Sequence, residues 1–560
     1  MVDARSLPIT ISGAAARDHA DRCRDEIVAW GGGDSLDVVR WEASRLVALS
    51  HLHSVSTHPA PLIASVRALS EMAERLDDEV ARGYALIAWG FAHPAPEHAG
   101  ARARIANEVL DIAARTSENA LVSPAYALLL VALLEMGDIR ALDIEVLESR
   151  VVRDGALAAD PASPAAWFHC LRSILDGDAT GAERQAEELY ANAAENGTEA
   201  LALYTVQLGL IRWMQGRTDG VEEALLRARR EYPEDALWTV ALAWLWLLQG
   251  RHAASESLLR SAPDLDEIPR DRYWLATVAV LAEIAIATRS LEEMRRLHRL
   301  LLPFADHLIA VGAGVAFGGT VALTLGLLAE GLGMLTEARS HLELAADASM
   351  RVCALAWHAQ AQIELASFAL RHDIVDIPAH EILAEARATC EARGFTALGR
   401  KALPPPQVRV LGMFDVISIC GRRAQWTSRK ARELLKRLVA ARGTALSREI
   451  LMDALWPGEP PTRLGNRFSV AVNVVRRTLD PERITHTQRY VVTEGDSVRL
   501  DTDNVDVDLE HFLTLAARAD DASRSAALMI YRGEAFSDEP YADWAAGVRD
   551  EAAHAYRMLS

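Results

Sequence analysis

Lysine is almost missing from this chain: in 560 residues only Lys401, Lys430 and Lys436 accompany 56 arginines, a bias of coding composition rather than of chemistry. A Walker A loop needs a lysine to reach the phosphates, so residues 1–400, which have none, hold no P-loop ATPase. Cysteine is scarce too. Cys23, Cys170, Cys353, Cys390 and Cys420 lie far apart with no C-x-x-C pair, which excludes a zinc ribbon or a small disulfide framework and fits a reducing compartment. They read as core fillers. Met1 to Ala15 lacks a basic stretch followed by an apolar one, so no secretory signal is read and a cytoplasmic location is expected. There is no G-x-S-x-G and no H-E-x-x-H, and His51, His53 and His58 cluster without cysteine or carboxylate partners at ligand spacing. The chain is therefore expected to be no enzyme and to need neither cofactor nor metal.

What is present is apolar material and an uneven charge. Hydrophobic residues make up 50% and charged ones 24%, which rules out global disorder, and the length calls for two or more domains. The net charge of −19 hides a pattern: residues 408–500 carry +8, residues 501–560 carry −8, and the first 407 carry −19. One basic block between two acidic ones is the footprint of a nucleic-acid module.

Through the first 400 residues apolar positions recur at helical spacing and strand-like alternation is almost absent. A turn signature repeats as LLEMGD (133–138), ILDGDA (174–179), WMQGRT (213–218) and LLQGRH (247–252), with weaker copies at 331–336 and 369–374. Gly137, Gly177, Gly216 and Gly250 are 40, 39 and 34 residues apart, and Gly333 follows after 83. Such glycines end one helix in the left-handed region and turn the chain into its partner. A period of this length with two helices per unit means stacked helical hairpins, roughly eight or nine pairs. Gly209, Trp213 and Gly216 with Ala224, Ala228, Tyr232 and Pro233 resemble the tetratricopeptide pattern. Such an array presents a surface for a protein or small-molecule ligand whose identity the sequence does not give. Leu308 to Ala329 is a charge-free run of 22 residues with five glycines and no flanking anchors. It reads as a glycine-rich loop leading into a buried helix, not as a membrane span or a phosphate loop.

Leu403-Pro404-Pro405-Pro406 interrupts the helices as a linker. Beyond it, residues 408–421 alternate as short strands. A helix over 428–443 follows, capped by Ser428, and a second over 447–457, capped by Ser447 and stopped by Pro457. A loop at 458–465 leads to a third helix, 466–479, and 489–500 reads as a hairpin turning at Glu494-Gly495-Asp496. At 100° per residue, Phe468, Val472, Val475 and Leu479 of the third helix face a core. The opposite arc holds Asn466, Val470, Asn473 and Arg477, flanked by Arg467, Ser469 and Arg476. Amides, arginines and one methyl-bearing side chain, without an acid, are what reading base edges in a major groove demands. Arg429, at the start of the first helix, lies off that arc and can reach only the phosphate backbone. Lys430 and Arg489 are further candidate contacts. The acidic run Asp501, Asp503, Asp506 and Asp508 lacks calcium-loop spacing and reads as a strand-to-helix junction.

V-x-V-L-G (408–412), R-K-A-R-x-L-L (429–435), S-R-E-x-L-x-D-A-L-W-P (447–457), N-x-F-x-V-x-V-x-x-V-R-R-x-L (466–479) and V-D-V-D-x-x-x-F (505–512) resemble the OmpR-type winged helix of the SARP/BTAD family of actinobacterial transcription regulators. The resemblance implies that the helix from Asn466 reads double-stranded DNA and that the loop after Trp456, residues 457–465, approaches RNA polymerase. Residues 509–560 resemble the beginning of that family's helical activation domain, through 512–515, 527–533 and the Trp544 segment; in the family it continues for several more helices. Three departures stand out: Val474 occupies a position where the family often has arginine, Ser497-Val498 replaces a Gly-Tyr pair, and the winged helix comes last. That order resembles MalT-like regulators, whose ATPase is absent here.

The expectation is thus a mainly α protein. A tetratricopeptide-like array (1–400) is joined by a proline-rich linker (401–407) to an α+β winged-helix domain (408–505) and a partial activation-domain segment (506–560). The expected role is that of a cytoplasmic DNA-binding transcription regulator, an activator, with no membrane partner. The alternative is a repeat scaffold whose winged helix docks protein.

Overall fold

A computed structural model describes residue 7 and residues 13–51, 59–138, 164–193, 200–517 and 521–559, apart from positions 32, 234, 289, 313, 315, 373, 404, 420–421, 460, 484 and 486–487. His53, His58 and Cys420 lie outside the described residues. The protein is mainly helical with a few short strands, and it divides into two compact units: Met1–Gln362 with Thr389–Ala397, and Ile363–Ala388 with Leu398–Ser560.

In the first unit successive helices pack side by side, Gly13–Ala29 on Leu36–Ser50, Ala99–Thr116 on Val122–Met136, and Val321–Gly331 on Leu335–Arg351. The repeated glycines do what their spacing predicts. Gly137, Gly177, Gly216, Gly250 and Gly333 all have φ between 68° and 78°. The residue after each one donates its N–H to the carbonyl five positions earlier, as in Asp138 to Leu133 at 3.0 Å and Arg251 to Trp246 at 2.8 Å. This closes the helix end, and only glycine adopts that backbone without strain.

The charge-free run is where the sequence reading needs correction. Its second half is the buried helix Val321–Gly331, but its first half is a β-hairpin, Leu308–Val311 paired antiparallel with Ala316–Thr320, rather than a loop. Every residue of the two strands except Gly318 is buried, so no polar alternation marks them in the sequence. Phe317 meets Trp357 edge-on at 4.9 Å, and Trp357 meets Trp213 at 5.1 Å. A Cβ on Gly314 would lie 3.1 Å from the Val131 Cα, and one on Gly319 2.9 Å from the Trp357 ring. The glycines let helices close in on the hairpin. Further contacts join residues far apart in sequence: Arg270 with Glu97 at 3.0 Å, and Arg272 with His51 at 3.1 Å. A simple stack touches only its neighbours, so this unit is more closed than the expected array. One helical segment among the described residues, Asn119–Met136, is long and apolar enough to cross a bilayer, and 61% of it is buried inside the protein. Cys23, Cys170 and Cys390 are buried as expected of fillers; Cys353 is not, being exposed in a turn at φ 54°.

The second unit carries β1 (Gln407–Arg409), β2 (Asp415–Ile417), α1 (Arg429–Ala440), β3 (Leu446–Ser447), α2 (Arg448–Leu455), α3 (Pro461–Leu479), β4 (Val491–Glu494), β5 (Ser497–Leu500), β6 (Asp506–Val507), α4 (Asp508–Ala516), α5 (Asp521–Ile530) and α6 (Ala546–Leu559). β1 lies between antiparallel β2 and parallel β6, and β5 lies between β3 and β4, antiparallel to both. Ser428 and Ser447 accept from the N–H groups of Ala431 and Glu449 and fix where α1 and α2 begin. α3 begins five residues earlier than read from sequence, because Pro461 suits a first helical turn and Leu464 is buried. The loop expected over 457–465 therefore ends before Pro461.

Residues 506–560 are not a separate appendage. Phe512, Ala527, Phe536 and Leu559 belong to the same buried core as Val408, Leu434, Phe468 and Val498. The Asp508 carboxylate accepts from the N–H groups of Val410 at 2.7 Å and Leu411 at 3.2 Å, and Phe536 N–H donates to the Val410 carbonyl at 2.7 Å. Burial raises the Asp508 carboxyl to about 6. Lys436, fully buried, sits 2.7 Å from Asp538 and 2.9 Å from Glu539.

Candidate nucleic-acid interface

α3 is held by its inner face. Leu464, Phe468, Ala471, Val472, Val475 and Leu479 are buried among side chains of α1 and the sheets, as a 3.6-residue period requires. Its last carbonyl, on Leu479, accepts from Ile419 N–H at 3.1 Å, and Asp480 closes the end by accepting from the Thr485 N–H and hydroxyl, each at 2.8 Å. With the helix so fixed, Asn466, Arg467, Ser469, Val470, Asn473 and Arg477 are all exposed. Val470 keeps 55% of its surface in solvent, a large apolar side chain on an outer face.

The basic residues divide into two sets. Arg432, Lys436 and Arg442 are paired with the acids of the C-terminal segment: Asp538, Glu539, Glu510 and Glu551, at 2.6–3.0 Å. Arg422, Arg423, Lys430 and Arg437 also have carboxylate partners, Lys430 with Glu433 at 3.1 Å. Among the described residues, Arg429, Arg448, Arg477, Arg489 and Arg499 have none. Positive charge without a carboxylate partner among the described residues therefore lies on α3, on the first turns of α1 and α2, and on the β4–β5 hairpin with the loop before it, and also at Arg409 on β1 and Arg483 beyond α3. A guanidinium without an internal carboxylate can exchange water for phosphate or base edges with little to break.

Three residues of the predicted set are placed differently from the rest. Arg476 turns away from the outer face. Its guanidinium donates to the Val491 carbonyl at 2.7 Å and to the Thr493 hydroxyl at 3.2 Å, and burial lowers its pKa. Arg467 pairs with Glu459 at 2.6 Å and lies over the Trp456 ring at 5.0 Å. Arg489 lies in the loop before β4, with its guanidinium 5.9 Å from the Tyr490 ring centre. The sequence reading missed two residues. Arg448 occupies the first position of α2, over the Phe468 ring at 5.5 Å, and Arg499 stands between Val498 and Leu500 on β5. The Ser447 cap and the alternation V-R-L were the available signals. Ile450 on α2, 65% exposed, has no counterpart in the expected set. Among the described residues no group of His, Cys, Asp and Glu side chains could hold a metal ion. No protein-family model matches the chain, and no curated protein matches it.

Proposed function

We infer that the protein is a sequence-specific DNA-binding transcription regulator, acting in the cytoplasm without enzymatic activity of its own. The reading takes β1 to β5 as a winged helix, α3 as the helix that enters the major groove and the β4–β5 hairpin as the wing. One observation carries it: an acid-free outer face of Asn466, Ser469, Val470, Asn473 and Arg477, exposed on a helix whose inner face is fully packed. Amides and an arginine offer bidentate hydrogen bonds to adenine and guanine, and Val470 offers a contact for a thymine methyl. The first unit is then a tetratricopeptide-like helical domain for a signal or partner. The turn at Trp456–Glu459, shortened by the early start of α3, is the place from which RNA polymerase would be approached by an activator. Binding of the full chain to its own upstream DNA and to scrambled duplex, followed by fluorescence anisotropy at several salt concentrations, tests this. Cognate preference with a steep salt dependence is expected; no binding to any duplex would sink it. Ile450 and Val470 together favour one other reading, a scaffold that docks protein through this face, which predicts flat or absent DNA binding.

A further inference from the structure

One cavity lies wholly inside the first unit, between helices far apart in sequence. Its closed part measures about 80 Å³ and, counted to its mouth, the space is about 780 Å³. Phe91, Leu128 and Val131 give it an apolar wall. The ionic groups that line it are three carboxylates, Glu135, Asp235 and Asp271, and two guanidiniums, Arg102 and Arg272. Arg102 is engaged on every side: it pairs with Glu135 and donates to the carbonyls of His93 at 2.7 Å and Ala95 at 2.8 Å. Arg272 donates to Nδ1 of His51 at 3.1 Å, which requires a neutral imidazole. Arg270, next to Asp271 in the chain, does not line the cavity and is turned to Glu97 at 3.0 Å. Asp235 is the N-cap residue of Ala236–Leu248, and Asp271 accepts from the Tyr273 N–H at 2.8 Å just before Trp274–Ala287. An acid at the start of a helix is ordinary. Two of them in one partly apolar cavity are not explained by the helix ends alone, since each raises the cost of the other. Burial raises both Asp271 and Glu135 to about 7, and the charge of Asp235 adds to the rise at Asp271. With all five groups ionised, three negative charges meet two positive ones, and the lining lacks one cation.

We propose that this cavity binds a small organic monocation, an ammonium or guanidinium group on a short apolar chain, with the cation beside Asp235 and Asp271 and the chain along Phe91, Leu128 and Val131. A cation there neutralises the lining, and a mixed apolar and ionic wall is what holds such a ligand in one orientation. At about 30 Å³ per water, the closed part takes about three water-sized groups, which suits a head group and leaves out a sugar or a nucleotide. The site does not rest on the reading of α3.

The experiment uses the full chain, with butylammonium and butylguanidinium chloride as probes and butanol, sodium butyrate and sodium chloride at matched ionic strength as controls. At about 10 mM, at least one of the two cations should raise the melting temperature by about 2 °C beyond sodium chloride, and butanol and butyrate should not. Asp271→Asn and, separately, Asp235→Asn remove one charge each while keeping a residue that starts a helix well. Each should cut the shift by at least half, with circular dichroism confirming the fold; if one variant does not fold, the other decides. Asp266→Asn, at an exposed acid outside the cavity, should leave the shift intact. If neither cation does more than sodium chloride, or if butyrate is the ion that stabilises, the cavity is no cation site. A shift that survives the Asp235 and Asp271 variants places the cation elsewhere and overturns the assignment as well. A protein that binds no DNA at all but keeps the cation shift would fail the regulator reading while retaining this one.

Discussion

The Arg476 guanidinium and the Val491 carbonyl, 2.7 Å apart, tie α3 to the first strand of the hairpin beside it. Arg477, the next residue, is exposed and has no carboxylate partner among the described residues. Two adjacent arginines thus differ: Arg476 is tied to the hairpin, and Arg477 presents its charge on the outer face of α3.

Arg476→Ala should therefore behave as a stability variant. It leaves the Val491 carbonyl without its donor, a loss of about 1–3 kcal/mol, visible as a lowered melting temperature and faster amide exchange in 491–500. An unchanged melting temperature would show that the hairpin is held by other contacts.

The shared core makes a second prediction about truncation. A fragment ending at residue 505 loses β6, the Asp508 bonds to Val410 and Leu411, and both acids beside Lys436. Leaving a fully buried ammonium without partners costs about 3–5 kcal/mol, a large part of a domain's stability. The 398–505 fragment should be unfolded by circular dichroism while 398–560 folds. Asp538→Ala in the full chain should destabilise for the same reason, more than Glu539→Ala, since Asp538 also holds Arg432 at 2.8 Å.

Asp508 sets a pH dependence. Its carboxyl sits at about 6, above the ordinary 3.8, so between those values the folded state holds a proton that the unfolded state has released. Stability from this group is then greatest below the ordinary value and is lost as pH rises through about 6, by up to about 3 kcal/mol. Asp508→Asn removes the titration. The melting-temperature difference, variant minus wild type, should grow from pH 4.5 to pH 7.5; a difference that shrinks would show that the backbone donors outweigh burial.

Much of this was legible in the sequence, for identifiable reasons. The outer and inner faces of α3 follow from a one-sided helical period, and Ser428, Ser447, Gly137 and Gly495 mark ends by backbone chemistry that acts locally. The hairpin at 308–320 was not legible, because strands buried at every residue but Gly318 show no alternation. Nor was the role of Lys436, whose partners Asp538 and Glu539 lie about a hundred residues away. Arg476 and Arg477 differ by only 100° on a helical wheel; which of them meets the hairpin is decided by where β4 packs, and that is tertiary information.

The last prediction separates Arg477 from Arg429. Both are exposed and neither has a carboxylate partner among the described residues, so neither should lower the melting temperature when replaced by alanine. Arg477 follows Asn473 by one turn on the outer face of α3, where under the proposed function a side chain would meet base edges. Arg429 is the first residue of α1, where under the same reading it would meet at most a phosphate. Arg477→Ala should weaken binding to the cognate site by about 1–3 kcal/mol, leave binding to scrambled duplex nearly unchanged, and relax sequence preference at one position. Arg429→Ala should weaken both duplexes alike and reduce the salt slope by roughly one. Both variants are titrated against cognate and scrambled DNA at several salt concentrations. If Arg477→Ala lowers the two affinities equally, Arg477 is a backbone contact, and discrimination must come from Asn466, Val470 and Asn473 or from the shape of the DNA.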